Sequence, residues 1–145
     1  MSLMRMVESL QNRLDELTRR QQRTVYKQTA LASTDWEVTD TRSTTAKTLI
    51  DLSAVFGVPA GVRAVYVYMA VKDTASASTD TYIVLGPDNV AYNGEYFSSA
   101  GQANSSWSRQ SQWVACDANG DIYYQVAASG SNTTTAQMLI KGWLL

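Results

Sequence analysis

The 145-residue chain has no histidine, one cysteine, two prolines and two phenylalanines. Without histidine it lacks the commonest general base near neutral pH, every Ser–His or Cys–His nucleophile pair, and the commonest metal ligand. Cys116 cannot form an intramolecular disulfide. Set in the apolar run Trp113-Val114-Ala115-Cys116, with no base beside it, it reads as a small buried hydrophobe. Neither a Gly-rich phosphate loop nor a Gly-x-Ser-x-Gly elbow occurs. No apolar run reaches the length of a membrane span, and Arg5 and Glu8 interrupt any secretory apolar core at the N-terminus.

Two kinds of chemistry survive these absences. A pair of carboxylates alone performs glycoside hydrolysis. Residues 30–145 hold ten acids, however, so some pair is inevitable and the pairing carries no signal. Asp117-Ala118-Asn119-Gly120-Asp121 has the look of a calcium loop, but it lacks the glycine at the sixth position and the distal glutamate. A turn is the simpler reading. The expectation is a non-enzymatic protein with no catalytic residue, metal or cofactor.

Hydrophobic residues make up 45% of the chain, enough for a packed core, while charged residues make up only 17%. The charge is unevenly spread. Residues 1–29 carry six basic and three acidic groups, a net +3, and residues 30–145 carry six basic and ten acidic groups, a net −4. The sequence shows no basic face on the larger part, so nucleic acid is not an expected partner there, and without a long apolar run membrane insertion is not expected.

Residues 2–28 contain no proline or glycine and read as one helix. Leu3, Val7, Leu10, Leu14 and Leu17 follow steps of four and three, the 3.5-residue period of a coiled-coil seam. Leu3, Leu10 and Leu17 take d positions, and Val7 and Leu14 take a positions. Asp15–Arg19 and Glu16–Arg20 add acid-before-base pairs four residues apart. The seam then turns polar at Gln21, Thr24 and Gln28, a change that weakens a coiled coil but fixes its register. The same stripe would also suit packing on the chain's own sandwich. Its narrowness favours the coiled coil.

After Ala30 the period becomes two. Candidate strands are Asp35–Asp40, Lys47–Leu52, Val62–Lys72, Thr81–Gly86, Val90–Phe97, Ser106–Asp117, Asp121–Ala128 and Thr134–Leu144. Val58-Pro59-Ala60-Gly61 and Gly86-Pro87-Asp88-Asn89 are turns, and Asn93-Gly94 and Asn119-Gly120 are hairpin dipeptides. Three Ser/Thr/Ala-rich stretches, Asp73–Asp80, Ser98–Ser106 and Ala128–Thr135, read as polar loops. The expected fold is mainly β: an eight-stranded antiparallel jelly-roll-like β-sandwich at 30–145 behind a coiled-coil helix at 1–29.

Aromatic residues give the strongest binding signal. Trp113 and Trp143 are expected in the core. Tyr66 and Tyr68 oppose the apolar face of Val65, Val67, Met69 and Val71, so they face outward. With Tyr82, Tyr96 and Trp107 they are the candidate aromatics for an interface or for stacking a sugar.

Leu49-Ile50-Asp51-Leu52-Ser53, followed by Val58-Pro59-Ala60-Gly61 and the apolar run from Val62 to Val67, resembles a segment of fibre and appendage proteins of tailed bacteriophages. The plan of a helical stem before a β-sandwich tip is also similar to theirs. The motif covers under a fifth of the chain. The resemblance implies a homotrimeric virion component, assembled in the host cytoplasm, that mounts on other virion proteins by its N-terminal helix. Its sandwich would face a host-surface glycan or protein. A chain this short is equally suited to decorating a capsid.

Overall fold

The structure is a computed structural model that describes residues 2–22, 28–32, 48–77 and 81–145, with side chains of 19–22 and 28–32 left aside. Helix α1 runs from Leu3 to Gln22. Ser2 opens it by accepting the Arg5 N–H at 3.4 Å. The heptad argued for a helix continuing to residue 28. Instead, Gln28–Ala32 form strand β1, paired antiparallel with a later strand, β8 (Thr134–Leu144). Pairing with β8 outweighs the weak local helix preference of this segment. The expected strand Asp35–Asp40 lies outside the described residues.

The remaining strands are β2 (Thr48–Ile50), β3 (Ala64–Asp73), β4 (Tyr82–Gly86), β5 (Glu95–Ser98), β6 (Ser108–Ala115) and β7 (Ile122–Ala127). They form two four-stranded antiparallel sheets, ordered β1-β8-β3-β6 and β2-β7-β4-β5. The first sheet supplies Val65, Val67, Met69, Val71, Val114, Met138, Ile140 and Trp143 to the core. The second supplies Ile50, Ile83, Leu85, Phe97, Ile122 and Val126. Alternation along β3 and β8 drives this arrangement, because every second residue is buried. Each such aliphatic or aromatic side chain contributes about 1.5–3 kcal/mol by leaving water. Gln110 and Gln112 of β6 donate to the carbonyls of Ser98 and Tyr96 at 2.8 and 2.6 Å. These bonds join the β6 edge of one sheet to the β5 edge of the other.

A short helix, α2 (Leu52–Phe56), interrupts the expected run of strands. Asp51 caps it, accepting the Ala54 N–H at 2.8 Å and the Ser53 hydroxyl at 2.7 Å. Gly57, in the left-handed region at φ 68°, closes it, with Gly57 N–H to Ser53 O and Val58 N–H to Leu52 O. Residues 51–62 thus form a self-capped turn that buries Leu52, Phe56, Val58 and Val62.

Two expected hairpin signals act differently from a tight hairpin. Val90–Asn93 belong to a loop, and only Glu95–Ser98 is strand. Gly94 has φ 143°, and a Cβ there would meet the Leu85 carbonyl oxygen at 2.0 Å. Asn119-Gly120 joins β6 to β7, which lie in different sheets. Asp117 organises that turn by accepting the Asn119 and Asp121 N–H groups, both at 2.9 Å. Asp121 in turn accepts the Leu52 N–H at 2.9 Å. The carboxylates of the calcium-like stretch are therefore used as backbone acceptors.

Candidate functional site

Three surfaces stand out, and the first is the seam of α1. Leu3, Val7, Leu10, Leu14 and Leu17 are between 51% and 74% exposed in the single chain. Five apolar side chains in a/d register thus have their seam open to water, a costly arrangement for an isolated protomer.

The second surface is the end of the sandwich where β3, β5 and β7 finish and β4, β6 and β8 begin. The described parts of the three Ser/Thr-rich stretches meet here. Their hub is Asp73, which is fully buried. Its carboxylate accepts the Ala75 N–H at 2.8 Å and the Ser129 N–H at 3.1 Å. It also accepts the hydroxyls of Ser129, Thr133 and Thr134. Burial pushes the carboxyl up. The hydrogen bonds from Ser129, Thr134 and Ala75 outweigh it and hold Asp73 below the ordinary 3.8. Backbone links complete the tie: Ser105 N–H to Asp73 O at 2.7 Å, Gly101 N–H to Ser76 O at 2.8 Å and Thr74 N–H to Thr133 O at 3.2 Å. The result is a hydroxyl-rich loop cluster fixed by one internal carboxylate.

The third surface is aromatic and falls into two separate patches. Tyr66, Tyr68 and Trp107 lie on the outer side of the β1-β8-β3-β6 sheet. Trp113 stands opposite Tyr66, with ring centroids 5.2 Å apart. Lys141 Nζ sits 4.7 Å over the Tyr68 ring, and Lys72 Nζ sits 4.9 Å over the Trp107 ring. Tyr82 and Tyr96 lie on the other sheet, and the Tyr82 ring packs against those of Tyr96 and Tyr92 at centroid distances of 5.2 and 6.3 Å. Tyr92 has φ 58°, unusual for a bulky side chain. Its N–H donates to the nearly buried Gln125 Oε1 at 3.0 Å, and its carbonyl accepts the Tyr96 hydroxyl at 3.1 Å.

The expected aromatics are therefore outward but do not form one site. Trp143 is buried as expected, whereas Trp113 is 47% exposed and not a core residue. It lies on the edge strand β6 and alternates with Val114, which takes the buried side. Tyr92, Asp73 and the cations Lys72, Arg109 and Lys141 escaped the sequence reading. The period-two alternation of β3, β6 and β8 held the signal for the cations.

Cys116 is half-buried against the core. Burial and the charges of Asp117 and Asp121 push its thiol up to about 12, so it stays protonated near neutral pH and is a poor nucleophile. Among the described residues no three His, Cys, Asp or Glu side chains gather as a metal site, and no helix is long and apolar enough to cross a membrane. Among known protein families, curated proteins and solved structures, none matches this chain.

Proposed function

We propose that the protein is a non-enzymatic virion structural subunit, a fibre or appendage. Its N-terminal helix trimerises and mounts it on other virion proteins, and its β-sandwich is presented for attachment to a host-surface glycan or protein. The observation that carries this reading is the exposed seam from Leu3 to Leu17. A chain that keeps five apolar residues in heptad register and in water has use for copies of itself.

The sandwich is proposed to be an eight-stranded jelly roll. In support, the first strand pairs with the last, the second with the seventh, the third with the sixth and the fourth with the fifth. Folding such a ribbon gives the two sheet orders of this chain. β1 receives the stem and runs from the level of Leu139 towards that of Thr135, hence towards the loop end organised by Asp73. That direction supports the loop cluster as the outward tip. Its serine and threonine hydroxyls suit hydrogen bonding to a polar, hydroxylated receptor.

Incorporation into particles tests the mounting. Changing Leu10 and Leu14 together to Asp is expected to abolish incorporation while the sandwich keeps its β-type circular dichroism. Normal incorporation of that variant would mean that the particle grips the sandwich, and a capsid-decoration role would replace the fibre role.

A further inference from the structure

The fold sorts charge that the sequence scatters. Four basic residues of the sandwich fall within the described residues: Arg63, Lys72, Arg109 and Lys141. Three of them lie on the outer face of the β1-β8-β3-β6 sheet. Lys72 follows Tyr66 and Tyr68 on the outward side of β3. Arg109 stands opposite Ala70 on the outward side of β6. Lys141 sits in β8 where the β3–β8 register shifts. Strands β3, β6 and β8 contain a single acid, Asp73, which is buried in the loop hub. Among the described strand residues, the face is therefore cationic and aromatic, with no carboxylate on its outer side.

The β4–β5 side has the opposite character. Val90, Tyr92 and Tyr96 are 57%, 37% and 45% exposed, the most prominent apolar group on that side. Asp88 lies in the same loop, where it accepts the Val90 N–H and the Asn93 amide, Glu95 is exposed at the start of β5 on the side opposite Tyr96, and residues 82–98 contain no basic group. One chain thus carries an aromatic face with cations and, elsewhere, an aromatic patch with acids.

We infer that in the assembled oligomer the outer face of the β1-β8-β3-β6 sheet of one copy docks on the β4–β5 patch of the next copy. This contact rests on the oligomer proposed above and goes beyond the stem. Three observations select a second copy as the occupant. The charges are complementary, and both surfaces carry aromatic residues that interface centres favour, tyrosine on each and tryptophan on the cationic one. The cationic face cannot pair with itself, because like charges would meet. The contact must therefore be head-to-tail, the kind that closes rings such as trimers. Finally, the stem lies near this sheet: α1 comes within contact distance of β8, and residues 23–27 let its end stand no more than about 20 Å from β1. Copies gathered by the seam hold these surfaces at high effective concentration.

The test uses the full chain. Trp113 is replaced by the photo-cross-linking p-benzoylphenylalanine, and isotope-labelled and unlabelled copies are mixed before irradiation. Cross-links are expected from Trp113's position into residues 88–96 of a different copy. In parallel, Arg109→Glu, an exposed substitution, is expected to weaken association about tenfold, and adding Glu95→Lys in the same chain should restore it. Cross-links that fall only elsewhere in an intact oligomer, or an association that ignores Arg109→Glu, overturn this contact and leave the stem reading intact. A Trp113 still freely quenched by acrylamide in the intact oligomer overturns it too, because the face is then open to a foreign ligand. A chain that sediments as a monomer overturns both.

Discussion

Asp73 keeps its charge out of water through hydrogen bonds from two backbone N–H groups and three hydroxyls. Replacing it with Ala leaves buried donors unanswered, and the expected cost is about 3 kcal/mol, read from denaturant unfolding. The same bonds give stability a pH dependence. The folded carboxyl is held below its ordinary 3.8, so the unfolded chain takes up the proton first. Its contribution is fully present above that ordinary value and is lost as pH falls through the lower folded one. Asp73→Asn should remove this part of the acid limb; an unchanged acid limb in the variant would show that other carboxylates set it. Gly94 makes a sharper point. A methyl group there collides with the backbone of Leu85, so Gly94→Ala should lower the melting temperature markedly or prevent folding, whereas Gly142, with open space around it, should tolerate the same change. The dipeptide Asn93-Gly94 announced a turn in the sequence. The collision that makes its glycine obligatory depends on which strand lies behind it, and local chemistry does not encode that. Trp113 is similar. Its apolar neighbours suggested burial, but on an edge strand one side of the alternation has no sheet to face.

At the level of elements, periodicity served well wherever tertiary pairing agreed with it. β8 runs over the expected residues, Thr134–Leu144, and β3 and β7 lie within a residue or two of their expected bounds, because every second residue of each faces the core, with a break in β8 at Lys141. The exceptions have physical causes. Asp51 reads as the end of a strand until its carboxylate is seen capping α2. Gln28–Ala32 carry too little pattern of their own, and only the ladder to β8 makes them a strand. This fixes where the stem can be removed. A chain beginning at residue 23 retains β1 and should melt cooperatively. A chain beginning at residue 33 strips the partner from β8 and leaves a long edge exposed. It should aggregate or melt at lower temperature; equal melting of the two would mean that β1 adds nothing to the sheet. The candidate site was half legible for the same reason. Outward tyrosines follow from alternation within one strand. Their division between two sheets, and the gathering of three distant loops on Asp73, are properties of topology.

For the whole molecule, the sandwich and the stem stand in different relation to water. The sandwich buries its apolar residues in a core shared by its two sheets. The stem does not, and its leucines stay exposed. An open seam, a strand leading from the stem towards a polar loop end, and oppositely charged aromatic surfaces on one chain all suit an assembly built from copies. The central claim is therefore oligomerisation through the Leu3–Leu17 seam, and sedimentation equilibrium of the purified full chain tests it most directly. The account predicts a mass three times that of the 15.9 kDa chain, falling to the single-chain mass when Leu10 and Leu14 are both changed to Asp. A stable single-chain mass for the unmodified protein at micromolar concentration would contradict it.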